Sequence, residues 1–178
     1  MNITKIKLNT KIHTKEELER HPVPVLGIDY KVKIQYRNIK IAELDVEKKT
    51  IKISLPNKYK KASDKKILDF AIEKMYEQIA KVEIERAMEK TRILLGFAPD
   101  DYLIETLNNK LGNCVERKII IDPNIVKFHR DIIDYVVLHE YCHLKYKTHA
   151  KSFIELLKKY EPKYKEYDNQ IKDLGLTI

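Results

Sequence analysis

His139, Glu140 and His143 stand at the spacing H-E-x-x-H inside the stretch VVLHEYCHLKYKTHAKSF, residues 136 to 153, and this spacing constrains the chain more than any other feature. On an α-helix each residue advances by about 100°, so these three side chains share an arc of about that width. Both imidazoles then reach one ion, and Glu140 lies beside them, placed to act on a metal-bound water rather than to ligate. The apolar run Ile132, Ile133, Val136, Val137, Leu138 leads into the motif and predicts a largely buried helix. An unpaired glutamate is costly in such a place, and a metal site accounts for it where a solvated helix end does not.

A catalytic zinc needs a third protein ligand and one open position. His149 is the first candidate. It lies six residues past His143, which on a continued helix is the wrong side, so the chain must turn between Leu144 and Thr148. Thr148 is the expected N-cap of a following helix with His149 in its first turn. Glu155, Glu161 and Glu166 rank below it as third ligands. The metzincin pattern shares this ligand spacing but requires Gly three residues after the second His and a Met downstream; here that position is Tyr146, and Met1, Met75 and Met88 all lie upstream. Cys142, inside the motif, reads as a small core thiol rather than a ligand.

At 178 residues the chain suits one domain, or one domain with an added lobe. No window is apolar enough to span a bilayer, the first twenty residues lack a signal-peptide core, and two cysteines supply no disulfide framework, so the expected address is the cytoplasm. A net charge of +8 invites a nucleic-acid partner, but lysines interleaved with acids read more simply as solvated faces.

In chain order, residues 1–25 form a lead-in with a short helix over Lys15 to Arg20 and extended backbone at Pro22 and Pro24; His13 and His21 have no partners at ligand spacing. Residues 26–57 alternate apolar and polar positions, Tyr30, Val32, Ile34 and Tyr36 against Lys31, Lys33 and Gln35, then Ile51 and Ile53 against Lys52 and Ser54, which predicts an antiparallel β-meander. Residues 58–178 follow as the core. A long helix is expected from Ser63 to Leu95, with Ile67, Phe70, Ala71, Met75, Ile79, Val82 and Ala87 inward. Short strands are expected at Tyr102 to Leu107 and Arg117 to Ile121, with Gly112 and Cys114 in a turn between them. The motif helix starts near Arg130, and helices over Ala150 to Tyr160 and Pro162 to Leu174 close the chain.

Taken together, these pieces resemble the YgjP-like metallopeptidase family, a branch of the zincins similar to the SprT and WLM proteases. The residues that carry the likeness are Tyr135 to Leu144, which give Tyr-Val-Val-x-His-Glu-x-x-His-Leu, then His149 to Phe153 as His-x-x-x-Phe, Ser54-Leu55-Pro56, and Pro162-Lys163-Tyr164. The family's Arg-Trp-Gly-Ser-Cys is here Lys110-Leu111-Gly112-Asn113-Cys114, and Ile154 stands where Trp is common, departures that bear on substrate handling rather than on the metal-binding set. The resemblance implies an α+β fold: a zincin-like metalloprotease domain with an N-terminal meander, a long linking helix and a C-terminal helical HExxH core. It also implies Zn2+ held by His139, His143 and His149, Glu140 as catalytic base, and a peptide or protein substrate. A substrate strand along Arg117 to Ile121 is expected by analogy with zincin clefts, and Tyr146, Tyr141 and His129 are the candidates for stabilising an oxyanion.

Overall fold

The computed structural model describes residues 22–61 and 64–178 and has a mixed α+β architecture; the lead-in helix, His13 and His21 lie outside the described residues. Contacts divide the chain into two units, Met1–Glu77 and Gln78–Ile178, with the division inside the longest helix.

The first unit contains β1 (Val23–Val25), β2 (Ile28–Arg37), β3 (Glu43–Glu47) and β4 (Thr50–Pro56) in one sheet of order β1, β2, β4, β3. Val25 and Ile28 pair across a two-residue turn in which Leu26 and Gly27 both have positive φ, the backbone a tight hairpin requires. The antiparallel meander expected here is not what forms, because β2 runs parallel to β4, Val32 opposite Ile51 and Ile34 opposite Ile53. Burial decides the order. Strand β4 buries Ile51, Ile53, Ser54, Leu55 and Pro56 and takes the interior, whereas β3 is exposed at every residue and takes the edge. The period-2 pattern reports which face of a strand is buried, not which strand lies next to it. The opposite face sets Lys31, Lys33 and Arg37 of β2 and Lys52 of β4 against Glu43, Asp45 and Glu47 of β3, with ion pairs Arg37–Glu43 at 3.3 Å and Lys52–Glu47 at 2.5 Å.

Helix α1 (Asp64–Leu95) follows a 3-10 turn over Asn57–Lys61 and matches the expected span to one residue. Its first part buries Ile67, Ala71, Met75 and Tyr76, and the Tyr76 hydroxyl donates to the Pro24 carbonyl. Phe70 and Val82, expected inward, are 53% and 66% exposed. In the second unit, the inward positions are Ala80, Glu83, Ile84, Ala87 and Met88.

The second unit adds β5 (Asp101–Ile104), β6 (Gly112–Val115) and β7 (Lys118–Ile121), in the order β5, β7, β6, then α2 (Arg130–His143), α3 (Lys151–Tyr160) and α4 (Tyr164–Lys172). Strand β6 replaces the turn expected at Gly112 to Cys114; it pairs antiparallel with β7 through a two-residue turn, Glu116 and Arg117, both at positive φ. Neither turn residue is Gly or Asn, so the usual hairpin cue is missing. Every residue from Tyr135 to Cys142 is buried, which makes α2 the central element of this unit.

A charged clamp fixes α2 along α1. Arg130 donates from Nε and Nη2 to both carboxylate oxygens of the buried Glu83 at 2.6–3.1 Å, and Arg86 adds a bond to Glu83 at 3.0 Å. Arg86 and Lys90 both donate to Asp134, at 2.7 and 2.6 Å. Glu83 is held well below the usual carboxylate range, first by its bond from Arg130. The Tyr141 hydroxyl completes the contact by donating to the Met88 carbonyl at 3.1 Å.

Candidate metal centre

Helix α2 ends at His143 without Gly or Pro. Leu144 caps it, and the amides of Lys145 and Tyr146 both return to the Cys142 carbonyl before the chain leaves the helix. This is the turn that the position of His149 demands. The next helix begins later than expected: its N-cap is Ala150, with no side-chain bond, and not Thr148, so His149 sits in the linker ahead of α3 rather than in its first turn.

The linker returns His149 to the helix face that carries His139 and His143. The His149 Nε2 lies 2.9 Å from the His139 Nε2 and 3.1 Å from the His143 Nε2. Three such nitrogens at tetrahedral corners, each about 2.05 Å from a zinc ion, would stand roughly 3.3 Å apart, so the set is already close to that shape. The His143 Nδ1–H donates to the Tyr146 carbonyl at 3.0 Å, which fixes the tautomer that leaves Nε2 bare. The His139 Nδ1 is buried with no hydrogen-bond partner among the described residues. Phe153, fully buried on α3, closes the site from below, its ring 4.7–4.9 Å from all three imidazole centroids. Burial holds His139 far below the usual imidazole range, at about 3, with His143, His149 and Lys172 adding to the effect. Three imidazole nitrogens mutually within contact are a donor set that fits a divalent metal.

No Asp, Glu or Cys joins this group among the described residues. Of the alternative third ligands, Glu155 pairs at 3.8 Å with Lys151 and Glu161 accepts from the Lys163 amide; Glu166 lies exposed in the first turn of α4. Cys142 is wholly buried, and burial, reinforced by the Glu140 carboxylate, pushes its thiol up to about 12.

Glu140 is 1% exposed, and its carboxylate forms no hydrogen bond or ion pair among the described residues. Burial raises its pKa to about 8, offset in part by Lys110. Against it lies β6. A Cβ built on Gly112 would stand 2.6 Å from the Glu140 Oε1, 2.9 Å from Cγ and 3.0 Å from Cδ, so the strand approaches this carboxylate more closely than any residue with a side chain could. Gly112, taken from sequence as a turn residue, is thus part of the site, and only its retention in a motif otherwise altered pointed to it.

Two further expectations change. Strand β7 cannot accept a substrate strand, since β5 and β6 occupy both of its edges. Among the hydroxyl and imidazole groups considered for an oxyanion, Tyr141 spends its hydroxyl on Met88 at the α1 side, and His129 caps the start of α2, ten residues or about 15 Å from His139. Tyr146 alone stays beside the histidines, through its carbonyl bond to His143.

Comparison with known proteins gives a match to the family model described as YgjP-like, metallopeptidase domain, over residues 2–174. Among solved structures, the chain is similar to the metallopeptidase zymogen of Pyrococcus abyssi abylysin, with 24% identity and a TM-score of 0.49 over 53% of this chain and 98% of that one. It is also similar to the metallopeptidase zymogen of Methanocaldococcus jannaschii jannalysin, with 20% identity and a TM-score of 0.46 over 51% of this chain and 88% of that one. No curated protein matches.

Proposed function

The chain belongs to the YgjP-like metallopeptidase family, and from that premise we propose that it is a zinc peptidase of zincin layout whose HExxH core binds Zn2+ through His139, His143 and His149 and uses Glu140 as general base. The observation that carries this reading is the convergence of the His139 and His143 Nε2 atoms within 3.1 Å of the His149 Nε2, beside a buried carboxylate with no hydrogen-bond or ion-pair partner among the described residues. Zinc held there would polarise a scissile carbonyl and bring the pKa of a water at its open corner toward neutrality. Glu140 would take the proton from that water and pass it to the leaving amine, a task suited to a carboxylate whose proton affinity burial has raised. The Tyr146 carbonyl would keep the His143 ring in its ligating tautomer throughout.

The test is metal analysis with peptide hydrolysis. The purified chain should carry about one zinc, lose all hydrolysis on chelation, and regain it when zinc is restored. A metal-free preparation that cleaves peptides as fast as the loaded one would refute the proposal.

A second reading has its own observation. Residues 22–61 hold ten Lys and Arg against four Asp and Glu. Apart from Arg37 and Lys52, those basic groups have no carboxylate partner among the described residues; Lys31 and Lys33 on β2 and three lysines in the turn over Asn57–Lys61 are among them. Charge concentrated in this way would attract a nucleic acid and direct the peptidase to proteins bound there. DNA affinity should then fall steeply with salt, by about 0.9 in log K per log unit of salt for each phosphate contacted. No retention on DNA at low salt removes this reading.

A further inference from the structure

We infer that Gly112 is a positioning residue for Glu140: the missing side chain on β6 leaves the space that the carboxylate occupies, and the backbone at Gly112 sets how far that carboxylate can withdraw from the histidines. The inference rests on Glu140 acting as the base.

The geometry behind it has two parts. First, the space is reserved. Gly112 does not have the positive φ that would call for glycine on backbone grounds, so conformational freedom does not explain its presence in a strand. What excludes a side chain is Glu140, whose Oε1, Cγ and Cδ all lie within 3.0 Å of a would-be Cβ. Because three successive atoms overlap and the residue is 1% exposed, rotation of the carboxylate alone cannot relieve the contact; the side chain must move as a whole.

Second, the wall is fixed from both sides. On the β7 side Gly112 pairs with Ile121, and the Asp122 amide donates to the Leu111 carbonyl at 3.0 Å. Asp122 is itself immobilised, accepting from the amides of Leu107 and Asn124 at 2.7 Å each. On the other side Thr177 forms a parallel bridge with Lys110: the Leu111 amide donates to the Thr177 carbonyl, and the Thr177 amide and hydroxyl both donate to the Asn109 carbonyl. Gly112 therefore cannot yield by a shift of its own backbone without breaking bonds on one side or the other, and the strain of an added methyl falls on Glu140.

Gly112→Ala should then lower kcat about a hundredfold, the order of effect expected when a reacting group is displaced by about 1 Å, with KM within about twofold and zinc content unchanged. A kcat within threefold of the parent overturns the inference. Stability of the metal-free protein provides the second reading. Gly112→Ala should lower Tm by several degrees with Glu140 present and by less than one degree in a Glu140→Ala background, where the side chain it meets is gone. Should Gly112→Ala alone fail to fold, the pair with Glu140→Ala must fold again. Equal losses of Tm in both backgrounds, or failure of the pair to fold, overturn the inference and leave the base assignment standing. Full turnover in Glu140→Gln removes the base assignment and leaves the contact measured by the stability cycle.

Discussion

Replacing His149 with Ala should strip the metal from the chain and abolish peptide hydrolysis, while leaving the metal-free protein about as stable as before. His139 and His143 are set by α2 itself, so their mutual geometry survives. His149 is different: it is exposed, it precedes α3, and it reaches the other two only because the chain turns after Leu144. Without it two imidazoles remain, one fewer than the three protein ligands a catalytic zinc requires, and no carboxylate of the described residues stands in the cluster to replace it. Removal of an outer partner of a ligand costs about 10–100-fold in affinity, and loss of the ligand itself should exceed that. Stability should change little because an exposed side chain in a linker contributes little to the core. Metal analysis before and after dialysis, with the melting temperature of the chelated protein, checks both halves. Retention of one zinc per chain with full activity would mean that a carboxylate such as Glu155 completes the site instead.

The parts of this site legible from sequence are those that a single helix determines. His139, Glu140 and His143 needed only the helical period, and the start of α2 at Arg130 followed from the apolar run behind them. The turn after Leu144 was legible for a weaker reason: His149 could reach the others in no other way, although nothing in Lys145 to Thr148 marks a turn. What the sequence concealed depends on pairing between distant segments. Strand β6 was hidden because Glu116 and Arg117 adopt positive φ without being Gly or Asn, so the hairpin carries no cue. With β6 hidden, Gly112 read as a turn glycine, and its contact with Glu140, 28 positions later, could not be seen. The parallel pairing of β2 with β4 was lost for a related reason, since alternation of Val32, Ile34, Ile51 and Ile53 is the same in either direction. Glu83 shows the opposite error: a charge on a helix face reads as solvated, yet two arginines make it one of the buried residues of α1.

Replacing Glu140 with Gln should leave zinc bound and lower kcat by about a thousandfold, within the 10²–10⁴ range that a positioned general base contributes. Gln matches the shape of Glu140 in its place against Gly112 but cannot take up a proton, so binding and chemistry separate: metal content and KM stay, turnover goes. The same substitution has a signature in the metal-free protein. The Glu140 carboxyl ionises at about 8 in the folded chain against an ordinary value of 4.5. Between those two values the folded chain keeps a proton that the unfolded chain has released, so stability falls as pH rises through this window and levels off above pH 8. Gln does not titrate. The stability of metal-free Glu140→Gln relative to the parent should therefore be constant below about pH 4.5, climb from there to pH 8 by an amount on the order of a few kcal/mol, and then stay flat. Denaturant unfolding of the chelated proteins at several pH values measures the difference. Parallel curves would show that burial does not hold this carboxyl in its neutral form in the metal-free chain, and that its proton affinity is that of an ordinary carboxylate.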